Sequence, residues 1–201
     1  MKTTIAVKYF IFSLVIALGV FTVSCSGKGG DDAEKPDSEI EESFEEFQMI
    51  DLSDWGIDAY IKLPDETANI GASTKPDILH PEDHLWQIDV GPNFTIHVED
   101  MANRLDNIRE QKRELARKKF FKVKYLIDDP DLIMYERELI VKGSNEASST
   151  VGKEHKSYHV FGQKTIDGIT YVLESREEGY ERIVIELMAK SIKSLEPKEA
   201  K

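Results

Sequence analysis

The sequence predicts an α+β domain in which an antiparallel sheet of about seven strands packs with two long helices. Short segments in which apolar and polar residues alternate predict strands that bury one face. Turn residues at 91–93 and at 167–168 predict hairpins, and hairpins imply antiparallel pairing. Two segments with apolar residues three and four positions apart predict helices, whose apolar stripes must cover the sheet.

The first predicted strand covers residues 55–63 and ends at Pro64. Residues 65–84 contain Gly71 and two prolines and show no clear period. We therefore predict a loop there, with a short strand near residues 69–72 as an alternative. A loop of this length inside a compact domain is either functional or a sign of an element that the pattern does not reveal.

Six further strands are predicted as three hairpins. In each hairpin, two alternating segments flank a short turn rich in glycine, proline, asparagine or aspartate. The paired segments are residues 86–90 with 94–98, 121–127 with 132–141, and 157–165 with 169–175.

The two predicted helices differ in the clarity of their patterns. Residues 101–119 carry an interrupted apolar stripe, and Asp100 is the predicted N-cap. Cations crowd the second half of this helix, which suits the negative end of a helix dipole, and a basic docking patch is the alternative. Residues 180–195 carry an uninterrupted stripe, and Pro197 ends this second helix.

The order of these elements resembles the PsbP-like fold, with strands, a central helix, hairpins and a final helix ending in Ser-Ile-Lys-Ser-Leu at residues 191–195. The resemblance covers about residues 50–196 and rests on pattern and order. That fold hosts protein-binding and complex-assembly modules, so the resemblance implies such a role without fixing it.

The N-terminus has the pattern of an export signal. Lys2 and Lys8 precede an apolar stretch over residues 9–23. This stretch is shorter than the about 20 residues that span a bilayer, and it suits the core of a signal peptide. The Thr-Val-Ser sequence before Cys25 resembles the lipobox of bacterial lipoprotein signal peptides, although that motif prefers leucine where Thr22 stands. The resemblance implies removal of residues 1–24 and lipid on Cys25. A non-lipidated signal and a retained anchor helix are the alternatives.

The lipid itself would hold the protein to a membrane. Each buried methylene contributes about 0.8 kcal/mol, and a single acyl chain gives only marginal binding. In the lipoprotein family, Cys25 would carry a diacylglyceryl thioether and usually an amide-linked acyl chain, which together anchor a protein stably. The inner-membrane retention rule of that family favours aspartate where Ser26 stands, so the resemblance points to the outer membrane.

The segment after the lipid cysteine predicts the domain boundaries. Residues 25–46 are acidic and poor in apolar side chains, which predicts a disordered tether before a single domain over 47–196 and a tail over 197–201. The start of the tether resembles the surface-export signal of some Gram-negative lipoproteins. A surface-exposed and a periplasm-facing position therefore both stay open.

Net charge narrows the range of partners. The chain has 26 basic and 38 acidic residues and a formal charge of −12, which becomes −14 when Lys2 and Lys8 leave with the leader. Nucleic acid is a poor partner, because phosphate binding needs a basic surface. The acidity should also keep the domain off anionic lipid headgroups. Cys25 is the one cysteine, so neither an intrachain disulfide nor a thiolate metal cluster is possible.

The sequence contains no recognisable catalytic or cofactor motif, so we expect no cofactor. His80 and His84 are candidate metal ligands, but Pro81 lies between them and no helix aligns them, so we expect no metal site. His97 is expected on the polar side of its strand, and His159 is expected to pack across a hairpin.

Two other groups of residues invite a functional interpretation. Asp128, Asp129 and Asp131 resemble a calcium loop only in their charge and are better explained as a turn. Trp55 and Trp86 are candidate contact residues, although core positions suit them better.

These observations favour a lipid-tethered, non-catalytic module on the outer membrane that binds or assembles with an envelope protein or glycan. Two alternatives remain. One is an envelope hydrolase that uses a carboxylate pair, which requires two carboxyl groups about 5–9 Å apart in a cleft. The other is a carrier of a small ligand, which requires an apolar cavity between the sheet and a helix.

Overall fold

Seven strands form one antiparallel sheet in the computed structural model of the chain, which describes residues 43–72, 75–140 and 156–198. All these residues belong to one unit of the chain, Lys35–Lys201. Cys25, the predicted leader and most of the predicted tether lie outside the described residues. The elements are, in chain order, β1 Phe47–Asp51, β2 Ala59–Pro64, β3 Asp77–Glu82, β4 Leu85–Asp89, β5 Thr95–Asp100, α1 Asn107–Arg117, β6 Phe121–Asp128, β7 Leu132–Leu139, β8 Lys156–Ile166, β9 Ile169–Ser175, α2 Arg182–Lys193 and β10 Glu196–Pro197.

The large sheet has the strand order β3-β4-β5-β9-β8-β7-β6, and every neighbouring pair for which a register is given is antiparallel. A smaller sheet has the order β1-β2-β10. The predicted α+β class and the antiparallel sheet are confirmed. The three predicted hairpins form as β4–β5, β6–β7 and β8–β9.

The apolar face of α2 lies in the main core. Ile185, Met188 and Ile192 are at most 1% exposed and belong to the same apolar cluster as the inward faces of β2, β4 and β5. Burying each such side chain contributes about 1.5–3 kcal/mol. Gly162 on β8 allows this close approach, because a Cβ there would lie 2.5 Å from Cγ2 of Ile192.

The shorter apolar stripe of α1 forms a second core on the other face of the sheet. Ile108 and Leu115 cluster with Ile133, Phe161 and Val172 on the central strands. Both helices are shorter than predicted, with 11 residues in α1 and 12 in α2. Beside α1 on this face, polar side chains of the helix and of β5 and β9 line one of the clefts described below.

The predicted start of α1 was wrong. Asp100 ends β5, and the chain then continues sheet-like hydrogen bonding to β9, with Met101 N donating to Thr170 O at 2.8 Å and Thr170 N donating to Ala102 O. Ala102 adopts a left-handed φ of +52°, which turns the chain away from the sheet. The helix therefore begins at Asn107, six residues later than predicted. Hydrogen bonding of residues 101–102 to β9 outweighs their local preference for a helix.

The membership of the large sheet also differs from the prediction. The strand predicted at 55–63 narrows to β2 and lies in the small sheet, and its place in the large sheet is taken by β3, from within the predicted loop. β3 is an edge strand with an irregularity between Leu79 and Glu82, where Pro81 lies. An edge tolerates proline because one row of backbone amides needs no partner strand. The alternative strand at 69–72 does not form.

The chain end is tied to the small sheet. Glu196 and Pro197 pair with Tyr60 and Ala59, and Lys198 N donates to Asp58 O at 2.9 Å. Pro197, which was predicted to begin the tail, is therefore part of the folded domain.

Candidate functional site

The histidines and aspartates that the sequence offered as metal ligands do not converge. His80 stacks on Trp86 with ring centroids 4.6 Å apart. Asp129 forms an ion pair with Lys193, and Asp128 forms one with Lys112. Within the described ranges, no three histidine, cysteine, aspartate or glutamate side chains are placed to hold a metal ion.

The two tryptophans have structural contacts. Trp86 is buried, and its indole Nε1 donates to the carbonyl oxygen of Trp55 at 2.8 Å. Trp55 is half-buried and packs against the main core. Neither side chain is presented as an open contact surface.

A cleft of about 550 Å³ lies at the start of α2, and we call it the α2 cleft. One wall is the loop that contains Asn69 and Gly71, and the other wall is formed by Arg176, Tyr180 and Glu181. The remaining lining residues are Ile70, Asn93, Ile183 and Val184. The cleft thus combines amide, guanidinium, phenol and carboxylate groups with a few aliphatic side chains.

The loop wall of the α2 cleft is held by close backbone packing. Gly71 and Gly91 both have positive φ, and a Cβ on Gly91 would lie 2.0 Å from the carbonyl oxygen of Gly71. The Asn93 amide donates to the carbonyl oxygen of Ile70 at 3.1 Å. This bond ties the Asn93 side chain to the loop.

The opposite wall is held by a stacked pair and a backbone bridge. The Arg176 guanidinium lies 4.0 Å from the centroid of the Tyr180 ring, and its Nε donates to Gly179 O at 3.4 Å. Tyr180 exchanges two backbone hydrogen bonds with Tyr158 of β8. Gly179 permits this packing, because a Cβ there would lie 2.6 Å from the Tyr158 carbonyl oxygen.

The hydroxyl of Tyr180 is the least satisfied group of the α2 cleft. Tyr180 is 9% exposed, and its Oη has no hydrogen-bond partner within the part of the chain that the structure describes. A buried polar atom without a partner costs about 1–3 kcal/mol. The hydroxyl has almost no accessible surface, so it is a buried group behind the lining of the cleft.

A second cleft, of about 300 Å³, lies between α1 and the sheet, and we call it the α1 cleft. Four glutamates line it: Glu99 from β5, Glu110 and Glu114 from α1, and Glu174 from β9. Arg104 forms an ion pair with Glu110. Burial raises the pKa of Glu174, and the negative charge of Glu99 raises it further.

One serine–histidine pair could be mistaken for a catalytic dyad. Ser157 Oγ lies 2.8 Å from Nε2 of His159. His159 is only 2% exposed and stacks on Tyr135, the residue opposite it on β7. Burial, followed by the charges of Arg137 and Lys118, lowers the pKa of His159 to about 3. A general base with such a pKa is too weak to activate a hydroxyl near neutral pH, so the pair is structural.

Sequence reasoning missed both clefts, because their linings come from separate segments. Asn69, Asn93 and Arg176 lie in three different loops and belong to no common motif. The one usable signal was the long aperiodic segment 65–84, which the prediction marked as either functional or misassigned. The loop assignment was wrong for residues 77–82, which form β3, and residues 69–71 of the same segment line the α2 cleft.

Comparison with known proteins identifies no relative whose function could be compared with the clefts. No protein-family model matches this chain. The curated proteins contain no match to it. Among the described helices, none has both the length and the apolar character needed to cross a bilayer.

Proposed function

We propose that this chain is the precursor of a lipoprotein that is cut before Cys25, is held to the outer membrane by lipid on that residue, and carries a non-catalytic binding module. The motif before Cys25 and the acidic segment after it support the anchor. The resemblance to the PsbP-like fold supports a binding role.

The α2 cleft is the binding site in this proposal, and the observation that carries it is the convergence of Asn69, Arg176 and Glu181 on one concave surface. A binding site needs a concave shape and a few fixed polar groups that orient the ligand. Both walls meet this need, since one is fixed by the Gly71–Gly91 contact and the other by the Tyr158–Tyr180 bridge.

The chemistry of the α2 cleft favours a glycan over a charged ligand or an apolar one. Arg176 and Glu181 bring opposite charges, so the lining has no strong net charge. The side-chain amides of Asn69 and Asn93 can each donate and accept hydrogen bonds, which matches the hydroxyl groups of a sugar. Ile183 and Val184 offer aliphatic surface to the C–H faces of a sugar ring. A polar segment of an envelope protein is the other ligand with this chemistry.

Binding is tested with the chain from residue 25 on an array of bacterial envelope glycans, followed by calorimetric titration of each hit. We expect at least one hit whose affinity falls about tenfold or more in Glu181→Ala and in Arg176→Ala. Arg182→Ala is the matched control, because Arg182 adjoins the cleft without lining it and should leave affinity within about twofold. An array without hits, or hits unaffected by both cleft variants, would contradict the assignment.

Surface display is a separate part of the proposal. Protease treatment of intact cells should remove the domain if it faces outward and spare it if it faces the periplasm. The membrane anchor is supported by either outcome, provided that the protein stays in the membrane fraction.

A hydrolase is the second candidate function, and the α1 cleft favours it. His97 lies opposite Glu174 and Glu99 lies opposite Val172, so Glu99 and Glu174 are diagonal neighbours on adjacent strands. Such neighbours lie about 7–8 Å apart, within the range of glycosidase carboxylate pairs. The raised pKa of Glu174 suits a general acid. Turnover of an envelope glycan that disappears in both Glu174→Gln and Glu99→Gln would support this function over binding alone.

The small-ligand carrier has weaker support. Both clefts have linings with several charged or amide side chains, so neither is the apolar cavity that this alternative requires.

A further inference from the structure

Four cations lie together where α1 ends and the chain turns into β6. Arg113 and Arg117 lie one helical turn apart on the exposed side of α1, and Lys118 and Lys119 follow directly. All four side chains are exposed. The seven residues 113–119 thus carry four positive charges and one negative charge, in a chain whose formal charge is −12.

Exposed apolar side chains adjoin these cations. Phe120 is 75% exposed, more than any other large apolar residue in the described part of the chain. Ile140 N donates to Phe120 O at 2.8 Å, and Leu139 lies opposite Phe121 in the β6–β7 pair. Leu139 and Ile140 are also exposed. We call Arg113, Arg117, Lys118, Lys119, Phe120, Leu139 and Ile140 the basic-apolar corner.

The cations of this corner form no ion pair in the described structure, although Lys118 lies near enough to Glu174 to favour its charged form. None of the four side chains makes an ion pair or a hydrogen bond within residues 43–72, 75–140 and 156–198. The helix end is capped by the backbone amide of Lys118, which donates to the carbonyl oxygens of Glu114 and Leu115. In contrast, Arg109 and Lys112 earlier in α1 are paired with Asp106 and Asp128.

We propose that the basic-apolar corner docks the domain on the anionic headgroups of the membrane to which the chain is tethered. Clustered lysine and arginine side chains attract phosphate-bearing headgroups, and a neighbouring aromatic side chain inserts at the level of the headgroups. The net negative charge predicts the opposite behaviour. It is spread over the whole domain, however, and beyond a Debye length of about 8–10 Å its repulsion is largely screened, so the local charge dominates at contact.

The chain length between the lipid and the domain permits this docking. Docking rests on the proposed function in one respect, because the lipid on Cys25 supplies a high effective concentration of headgroups. Ser43, the first described residue, lies 18 positions after Cys25, and a chain of that length spans at most about 65 Å when fully extended. A domain of this size has a radius of gyration of about 15 Å. Any face of the domain is thus within reach of the membrane surface.

The test uses the chain from residue 25 with Cys25→Ser, which cannot be lipidated, so the corner is measured without the anchor. All described elements lie in the unit Lys35–Lys201, so this chain retains the whole domain. Co-sedimentation is compared between vesicles of phosphatidylglycerol with phosphatidylethanolamine and vesicles of phosphatidylcholine alone. We expect binding to the anionic vesicles at least about tenfold above that to phosphatidylcholine, and a steep loss of binding in 0.5 M salt.

Variants identify the surface that binds. Lys118→Glu with Lys119→Glu should lower binding to anionic vesicles at least about tenfold, and Phe120→Ala should lower it several-fold. Lys75→Glu with Lys193→Glu is the matched control, because it makes the same charge change at two exposed lysines outside the corner, and its binding should stay within about twofold. All variants touch exposed side chains, and unchanged urea midpoints verify that they fold.

Equal binding to both kinds of vesicle, or anionic binding that the corner variants leave unchanged, would overturn the docking. So would the absence of binding, which would leave a partner protein as the occupant of the corner. None of these results depends on whether Cys25 is lipidated in cells, because the vesicle experiments use a chain without the cysteine. Lipidation is measured separately, from the mass of the native protein.

Discussion

Gly71 and Gly91 touch through their backbones, because the position that a Cβ would take on Gly91 lies 2.0 Å from the carbonyl oxygen of Gly71. This contact joins the loop after β2 to the turn between β4 and β5. No residue larger than glycine fits at position 91 while the loop stays in place. The shape of the α2 cleft therefore depends on a glycine outside its lining.

Gly91→Ala should destabilise the domain by more than backbone strain alone. A non-glycine residue with φ near +78° costs about 1–2 kcal/mol, and the clash with Gly71 adds about 1–3 kcal/mol. Gly168→Ala is the matched control, since Gly168 has a φ of +87° and nothing within 4 Å of an added Cβ. Urea unfolding should place Gly91→Ala at least about 1 kcal/mol below Gly168→Ala, and equal losses would show that the contact is not formed.

Tyr180→Phe should leave the free energy of unfolding unchanged or raise it by up to about 1 kcal/mol. The variant removes a buried hydroxyl that has no partner in the described structure. Tyr135→Phe serves as the comparison, because the Tyr135 hydroxyl accepts a hydrogen bond from Gln111 and its loss should cost about 0.5–1.5 kcal/mol. A loss above about 1 kcal/mol in Tyr180→Phe would mean that the free protein already uses this hydroxyl.

The stability of the domain should depend on the protonation of His159. Burial holds the pKa of His159 at about 3 in the folded chain, against about 6.5 when unfolded. At pH values between these two pKa values, His159 is protonated in the unfolded chain and neutral in the folded chain. The contribution of His159 is therefore complete above pH 6.5 and is lost as the pH falls toward 3, with a slope of up to about 1.4 kcal/mol per pH unit.

This pH dependence is measured by urea unfolding at several pH values in the wild type and in His159→Gln. The carboxylates titrate in both proteins, so the difference between the two curves isolates the histidine. We expect the wild type to lose stability more steeply than the variant between pH 6.5 and pH 4. Parallel curves would contradict a buried neutral His159.

The two sides of α2 should respond very differently to truncation. Met188→Ala should cost about 2–5 kcal/mol, because the side chain is fully buried in the main core. Ile183→Ala should stay within about 0.5–1 kcal/mol, because Ile183 is 55% exposed at the cleft end of the helix. Similar losses at both positions would mean that α2 presents another face to the sheet.

Sequence periodicity predicted best where one face is buried and the turn is short. The hairpin β8–β9 forms around Asp167 and Gly168 as predicted, because a two-residue turn fixes the register and alternation fixes the faces. β3 escaped prediction because His80 and Pro81 interrupt the alternation at an edge, where pairing tolerates both. β3 forms because it pairs with β4, and its own sequence shows little of the alternation that predicts a strand.

Long-range pairing and cleft formation lay beyond the sequence pattern. The start of α1 depends on hydrogen bonds between residues 101–102 and Thr170, which are distant in sequence. The α2 cleft depends on three loops that meet at the start of one helix. The burial of the Tyr180 hydroxyl also depends on how these segments pack, which no local pattern predicts. The proposed lipid anchor is the reverse case, because the motif that predicts it is local and can be recognised without any tertiary structure.

The attachment of lipid to Cys25 is measured most directly by intact-mass spectrometry of the protein extracted from the outer membrane of the cells that produce it. The account predicts a chain that begins at residue 25 and exceeds its calculated mass by a diacylglyceryl group, usually with a further acyl group. A free thiol at Cys25, or a chain that retains residues 1–24, would contradict it.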